Sequence, residues 1–190
     1  MVKNFTELAF TDSVRAVQEE RGSRASYARM EPVPRRTRLT AEEEEFIHGR
    51  DGFYLATVGE DGWPYVQFRG GPPGFLRVLD PQTVAFADFR GNRQYISAGN
   101  LRATGRAALI LMDYAGRNRL KIWAGAETVE AAAAPELVEA LEVPGYRAVV
   151  ERAVVCRVQA FDWNCPQHIT PRYTLDEIGA GLHLPSAAPA

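Results

Sequence analysis

The feature that most constrains this chain is a change of texture at Phe53. From there to Phe161 the sequence runs in short β-branched and aromatic stretches parted by turn signals, with helical stretches few between them. Phe53-Tyr54-Leu55-Ala56-Thr57-Val58 and Tyr65-Val66-Gln67-Phe68 flank Glu60-Asp61-Gly62, and Asp-Gly between such runs predicts a hairpin. Pro64 fits the first position of a strand, where a missing N–H donor is tolerated. Gly70 to Gly74 reads as a loop, Phe75–Leu79 and Thr83–Ala87 as strands, and 92–103 as a helix. Ala107 to Met112 is a continuous apolar run, the pattern of a strand buried on both faces. A turn at Arg117-Asn118 leads into a strand over Arg119–Val129, with Leu120, Ile122 and Ala124 on one face. Pro135–Leu141 is a short helix stopped by Pro144-Gly145, and 147–152 extends as helix. Ala153–Phe161 closes the series, with Val154, Cys156 and Val158 alternating against Val155, Arg157 and Phe161.

Six or seven strands with short turns and one helix inserted after the fourth predict a mainly β fold, a closed antiparallel barrel. A parallel doubly wound sheet would need a helix after nearly every strand and a Gly-x-Gly-x-x-Gly turn, and the sequence has neither. Ahead of the barrel, residues 11–30 are proline-free and helix-compatible, although Gly22 interrupts them. Pro32 and Pro34 break the chain, and Thr40-Ala41-Glu42-Glu43 then opens a second helix with a capping box. The glutamates that follow read as the solvated start of that helix. The expected organisation is a helical extension over 1–50, a barrel over 51–172 and a tail over 173–190. A turn of helix falls at Thr174–Ile178, and disorder is expected in the Gly/Ala/Pro-rich end.

The formal charge of −2 over 190 residues argues against a duplex nucleic-acid binder, which carries a basic face. Cys156 and Cys165 are the only cysteines, too few for a disulfide framework. The first ten residues lack a basic region followed by an apolar run, and no apolar stretch nears the ~20 residues of a membrane span. These features predict a cytoplasmic protein with neither nucleic acid nor membrane as partner.

The stretch that carries chemistry is Gly91-Asn92-Arg93-Gln94, between the fourth strand and the helix. A helix start offers unpaired N–H groups and a partial positive charge to an anion. Arg93 adds a planar fork that matches phosphate, and Asn92 suits an N-cap. A plain capped helix beside surface arginines is the competing reading.

The order of these elements resembles the pyridoxamine-phosphate-oxidase-like family of FMN-binding split barrels. Three pieces carry the resemblance: Phe53 to Val58 with the following x-x-Asp-Gly-x-Pro; Phe86 to Leu101, a strand running through Gly-Asn-Arg-Gln into a helix; and Ala107 to Val129, ending in Trp123-Ala124-Gly125-Ala126. The resemblance implies FMN bound at a homodimer interface and oxidoreductase chemistry on a small-molecule substrate. A non-enzymatic flavin-binding or sensing module, or a barrel using a deazaflavin or haem, is the alternative. Carried over by position, it implies that Arg69 and the Asn92, Arg93 and Gln94 segment hold the phosphate, where members often have Ser-Arg-Lys. Val66, Gln67 and Phe68 would meet the ring edge, Ala87 and Asp88 fall where an aromatic-Thr pair is common, and Leu120 or Lys121 would reach the flavin of the other subunit. Gln94 removes a cation, and Asp88 would repel a phosphate unless it faces away or accepts from Arg93. The segment Phe161 to Arg172 lacks the basic and histidine motif of the true oxidases, so oxidation of pyridoxamine phosphate is not expected.

Within that segment, Cys165-Pro166-Gln167-His168 has a ligand-like spacing. Zinc needs three or four ligands, and only Cys156, His48 and His183 remain to complete a set, so no metal is expected. The favoured expectation is a loop folded over the flavin pocket, with Trp163 and His168 near the ring. Trp163 as plain core is the competing reading. His168 is the one titratable candidate for a catalytic role.

Overall fold

In a computed structural model, residues 5–29, 37–163 and 166–179 are described. The sequence expectations for Cys165, for His183 and for the end of the tail lie outside them. Three short helices come first: α1 (Phe5–Ala9), α2 (Asp12–Glu20) and α3 (Arg24–Ala28). Gly22, at φ 73°, separates α2 from α3 and so divides the helix expected over 11–30. Next is α4 (Ala41–His48), whose capping box is built as its sequence predicts: the backbone N–H and hydroxyl of Thr40 both donate to Glu43 Oε2, at 2.9 and 2.7 Å.

The strands are β1 (Gly52–Val58), β2 (Pro64–Gly70), β3 (Leu76–Asp80) and β4 (Thr83–Phe89), then α5 (Ile96–Thr104), β5 (Arg106–Asp113) and β6 (Asn118–Glu130). After α6 (Pro135–Leu141) come β7 (Val150–Trp163) and a last turn of helix, α7 (Leu175–Gly179). All neighbouring strands pair antiparallel in the order β2-β1-β5-β6-β7-β4-β3. The β1–β2 hairpin turns where Asp61-Gly62 predicts, with Gly62 at φ 85° and Gly59 N donating to Trp63 O at 2.9 Å. Residues 150–152, expected as helix, are the first residues of β7, because they pair with β4 and β6.

The sheet curls on one core. Phe53 of β1 stacks on Phe75 at 5.7 Å between ring centroids and meets Phe86 of β4 edge-on at 5.1 Å. Leu55, Leu109, Leu111, Leu120, Ile122 and Cys156 fill the interior. Burial holds the Cys156 thiol up at about 12, so it is an inert apolar filler. The hydrogen-bonded ladder does not close, which corrects the expectation of a closed barrel: β2 and β3 are the two edges, and no bridge joins them. Side chains span the split instead, chiefly Arg69 of β2 to Asp88 of β4.

Ala107 to Met112 is buried on one face only. Ala107, Leu109 and Leu111 face the core, while Ala108, Ile110 and Met112 are half-buried on the outside. On β7 an extra residue, Gln159, sits between Ala160 (paired with Trp123) and Val158 (paired with Ala124). This bulge brings Phe161 to the same face as Val158, contrary to simple alternation. A second, small cluster of Ala85, Ala87, Leu141, Ala153 and Val155 packs α6 against the back of β4 and β7.

Glu43 links α4 to β7, since Trp163 Nε1 donates to its Oε1 at 2.8 Å. Burial pushes this carboxyl up, but hydrogen bonds from Thr40, Trp163 and the backbone outweigh it and hold it below its ordinary value of 4.5. A lowered folded-state value means stability that is present above pH 4.5 and lost as the pH falls through the folded value. Glu43→Ala is expected to cost about 1–2 kcal/mol at pH 7 by chemical denaturation, through loss of the cap and of the indole's acceptor. The same variant should show a flatter acid limb than the parent.

Candidate functional site

A groove of about 200 Å³ lies in the split, walled by β2, the end of β4, the 91–95 segment, the first turn of α5 and the start of β7. Alternation along β2 decides which of its residues reach it. Tyr65, Gln67 and Arg69 line the groove, while Val66 and Phe68 point to the opposite, exposed face. Ser97 Oγ donates to Gln67 Oε1 at 3.1 Å and so ties the first turn of α5 to β2. Asn100 Nδ2 donates to Thr57 Oγ1 at 3.0 Å and fixes the helix further along.

The helix begins later than its sequence suggests. Arg93 and Tyr95 have φ of 63° and 55°, in the left-handed region, so the right-handed helix starts only at Ile96. Asn92 is therefore not the N-cap. Its Oδ1 accepts from Gln94 N at 3.2 Å and closes an Asx turn. The anion-friendly end of α5 still faces the groove, because Ile96, Ser97 and Ala98 line it, and the N–H groups of a first turn have no intrahelical acceptor.

Three guanidiniums and two carboxylates line this groove: Arg69, Arg93 and Arg152 against Asp88 and Glu151. Asp88 is buried and points inward. It accepts from Arg69 Nη1 at 2.6 Å and Arg152 Nη1 at 3.1 Å, so it neither faces away nor accepts from Arg93. Arg93 is exposed, and its Nε donates to Tyr95 Oη at 3.3 Å. Tyr95 in turn donates to Glu151 Oε1 at 3.1 Å, and Arg90 Nε donates to the same oxygen at 2.9 Å. Burial pushes the Glu151 carboxyl up, but Arg90, Tyr95 and Arg152 together hold it below its ordinary value, so it is a carboxylate at neutral pH.

Gln67, Arg69, Asp88, Asn92, Arg93 and Gln94 are thus brought together as expected site residues. The others are not. Ala87 turns its back to the groove, into the cluster under α6. Leu120 is wholly buried in the core and can touch no ligand. Trp163 is committed to Glu43 and to an edge-on contact with Phe46 at 4.7 Å, so it does not cover the groove. His168 is exposed at φ 63° and is not among the lining residues. Among the described residues no group of three or more His, Cys, Asp or Glu is placed to hold a metal ion.

Arg152 was missed because its stretch reads as helix. The register reveals it: Asp88 on β4 and Arg152 on β7 are direct cross-strand partners.

Val66 and Lys121 meet elsewhere, on the outer face of the sheet. With Tyr54, Ala56, Ala108, Ile110 and Trp123 they line a shallow apolar groove of about 180 Å³. Lys121 lies over the rings of Trp123 and Phe5, at 5.4 and 5.9 Å, and 3.7 Å from Asp162. Burial pulls its pKa down from 10.5, and nearby Arg119 adds to the shift. Phe68, 58% exposed, adds to the same apolar face. Its ring lies on Gly52 and Gly70, the cross-strand pair where β1 meets β2, and a Cβ on either glycine would collide with it.

The sequence profile of the family described as pyridoxamine 5′-phosphate oxidase matches residues 39–156, more than half of the chain. The chain belongs to the pyridoxamine 5′-phosphate oxidase family. The match takes in α4, every strand through the first half of β7, and every residue that lines the groove. Solved structures of similar fold agree with the family's architecture. HupZ of Group A Streptococcus is 16% identical, with a TM-score of 0.55 over 71% of this chain and 99% of its own. A proposed pyridoxamine 5′-phosphate oxidase of Lactobacillus delbrueckii is 24% identical, with a TM-score of 0.51 over 66% and 94%. An FMN-binding protein of Syntrophomonas wolfei is 10% identical, with a TM-score of 0.50 over 77% and 97%. No curated protein matches the chain. Among the described residues no helix is long and apolar enough to cross a membrane.

Proposed function

We propose that this member of the pyridoxamine 5′-phosphate oxidase family is a homodimeric FMN-binding flavoprotein that serves as an oxidoreductase toward a small molecule. The observation that carries the reading is the groove in the split, where Arg69, Arg93, Arg152 and the first turn of α5 converge. The donor set fits a phosphate. Guanidinium forks match its oxygens, and Nε of Arg69 is buried without a hydrogen-bond partner. In this reading Arg69 and Arg93 grip the phosphate, with Gln67, Asn92 and Gln94 beside them.

A ligand of this size needs roughly 300–1,000 Å³, so the groove of about 200 Å³ suits the phosphate end alone. The ring then needs a second surface. The apolar outer face bearing Tyr54, Val66, Phe68 and Trp123 supports a second copy of the chain as its source, with Lys121 positioned at that interface. Bound FMN would supply hydride or single-electron chemistry, while the protein binds, orients and shields it. Among the described residues no histidine lines the groove.

Arg69→Ala is expected to weaken FMN binding by about 1.5–3 kcal/mol, the scale of a charge-assisted hydrogen bond, as read by fluorescence titration. Arg93→Ala should act in the same direction. Unchanged affinity in both would show that the phosphate lies elsewhere. Val66→Glu places a charge on the proposed dimer face, and the expected outcome is a monomer by size-exclusion chromatography with light scattering. A variant that stays dimeric would exclude this face. A haem or deazaflavin spectrum in place of a flavin one would reassign the cofactor.

A further inference from the structure

We infer that Arg152 is a third phosphate-holding guanidinium of the groove, a residue that reads the phosphate rather than a strut of the barrel. The inference rests on the proposed FMN site. Arg152 enters from β7, which forms the opposite wall to Arg69 on β2. Only 9% of it is exposed, although it carries a full charge. Its Nη1 and Nη2 reach Asp88 and Glu151 at 3.1 and 3.3 Å, and its guanidinium lies 4.9 Å over the Tyr95 ring. Its Nε is buried without a hydrogen-bond partner, and the one carboxylate near it, Glu130 at 3.5 Å, is 57% exposed and so screened.

The balance of charge is what separates a ligand site from a structural ion pair. Asp88 is shared between Arg69 and Arg152, and Glu151 is shared between Arg152 and Arg90. Arg93 adds a further cation on the rim. Counting Glu130, three carboxylates therefore face four guanidiniums, Arg69, Arg90, Arg93 and Arg152, and because Arg90 and Arg93 are exposed the surplus charge lies at the mouth of the groove, where it favours an anion. A dianionic phosphate supplies that anion. Asp88 holds Arg69 and Arg152 aimed at one point, and Tyr95 fixes the plane of the second.

The test compares FMN with riboflavin, which lacks the phosphate, on the purified full chain and on Arg152→Gln and Arg152→Lys. Arg152→Gln is expected to weaken FMN about 10- to 100-fold. Riboflavin affinity should move less than about twofold, because it never engages this residue. Arg152→Lys keeps the charge beside Asp88 and should fold normally. It loses the planar fork, so FMN should still weaken against riboflavin, by less. If Arg152→Gln does not fold, the lysine variant decides by that ratio alone. Equal losses for both flavins would mark Arg152 as structural and overturn the inference, as would unchanged FMN affinity. Should the parent take up no FMN, the proposed function falls. Titration with inorganic phosphate then judges Arg152 separately: weaker binding by the variant upholds the inference, and equal or absent binding overturns it.

Discussion

Asp88→Ala is expected to lower the stability of the folded chain by about 3 kcal/mol. The carboxylate bridges two guanidiniums across the split, at 2.6 Å to Arg69 and 3.1 Å to Arg152, and all three side chains are at most 17% exposed. Removing it does not remove the charges it balances. Arg69 and Arg152 are left facing each other, partly desolvated, and breaking a buried pair in this way costs 3–5 kcal/mol in general. The lower end applies because Arg69 retains some solvent and Arg152 retains Glu151. Urea denaturation at neutral pH measures the loss. Added inorganic phosphate should restore part of it, since an anion that binds only the folded state stabilises by mass action. A loss under 1 kcal/mol would mean that water already screens the guanidiniums. Asp88→Asn separates fold from function: the amide keeps an acceptor oxygen that can aim the arginines but removes the charge that competes with phosphate for them, so the folded variant should bind FMN more tightly than the parent.

Phe53→Ala is expected to cost about 3–5 kcal/mol, the range for deleting a buried aromatic side chain. Phe53 is 1% exposed and sits where the curled sheet meets itself, between Phe75 and Phe86. Alanine leaves a cavity that neither strand can fill without moving the split, since β1 is paired on both sides and β4 lies between β3 and β7. Thermal unfolding should fall by roughly 6–20 °C for a chain of this size. Phe68→Ala makes the contrast: on the same hairpin but 58% exposed, it should change monomer stability little. A Phe53→Ala loss under 1.5 kcal/mol would show that the interior is looser than its packing implies.

The elements with local signatures were legible in the sequence. Thr40 and Glu43 announced the start of α4, Asp61-Gly62 the first hairpin, and Pro135 to Leu141 is helical from end to end. Alternation on β6 placed Leu120, Ile122 and Ala124 inside. What failed depended on partners distant in the chain. Nothing local to Arg93 and Tyr95 advertises a left-handed backbone, so the helix was expected to start too early. The bulge at Gln159 exists only relative to β6, so Phe161 was assigned to the wrong face. Residues 147–152 carry no strong strand signal of their own, and that hid Arg152. The charge pattern around Asp88 could not be read without the register that sets it opposite Arg152. Of the expected site, Gln67 and Arg69 on β2 and the 92–94 segment fell together because strand parity and one tight turn determine them; the same parity turns Val66 and Phe68 to the other face, and Leu120 and Trp163 are tied into the core and to α4.

The central claim is that the split holds the phosphate of FMN. The most direct measurement is a paired equilibrium titration of the purified chain with FMN and with riboflavin, followed by flavin fluorescence. The account predicts one FMN per chain, bound at least tenfold more tightly than riboflavin, because the guanidiniums engage only the phosphate. No uptake of FMN, or equal affinity for the two flavins, would contradict it.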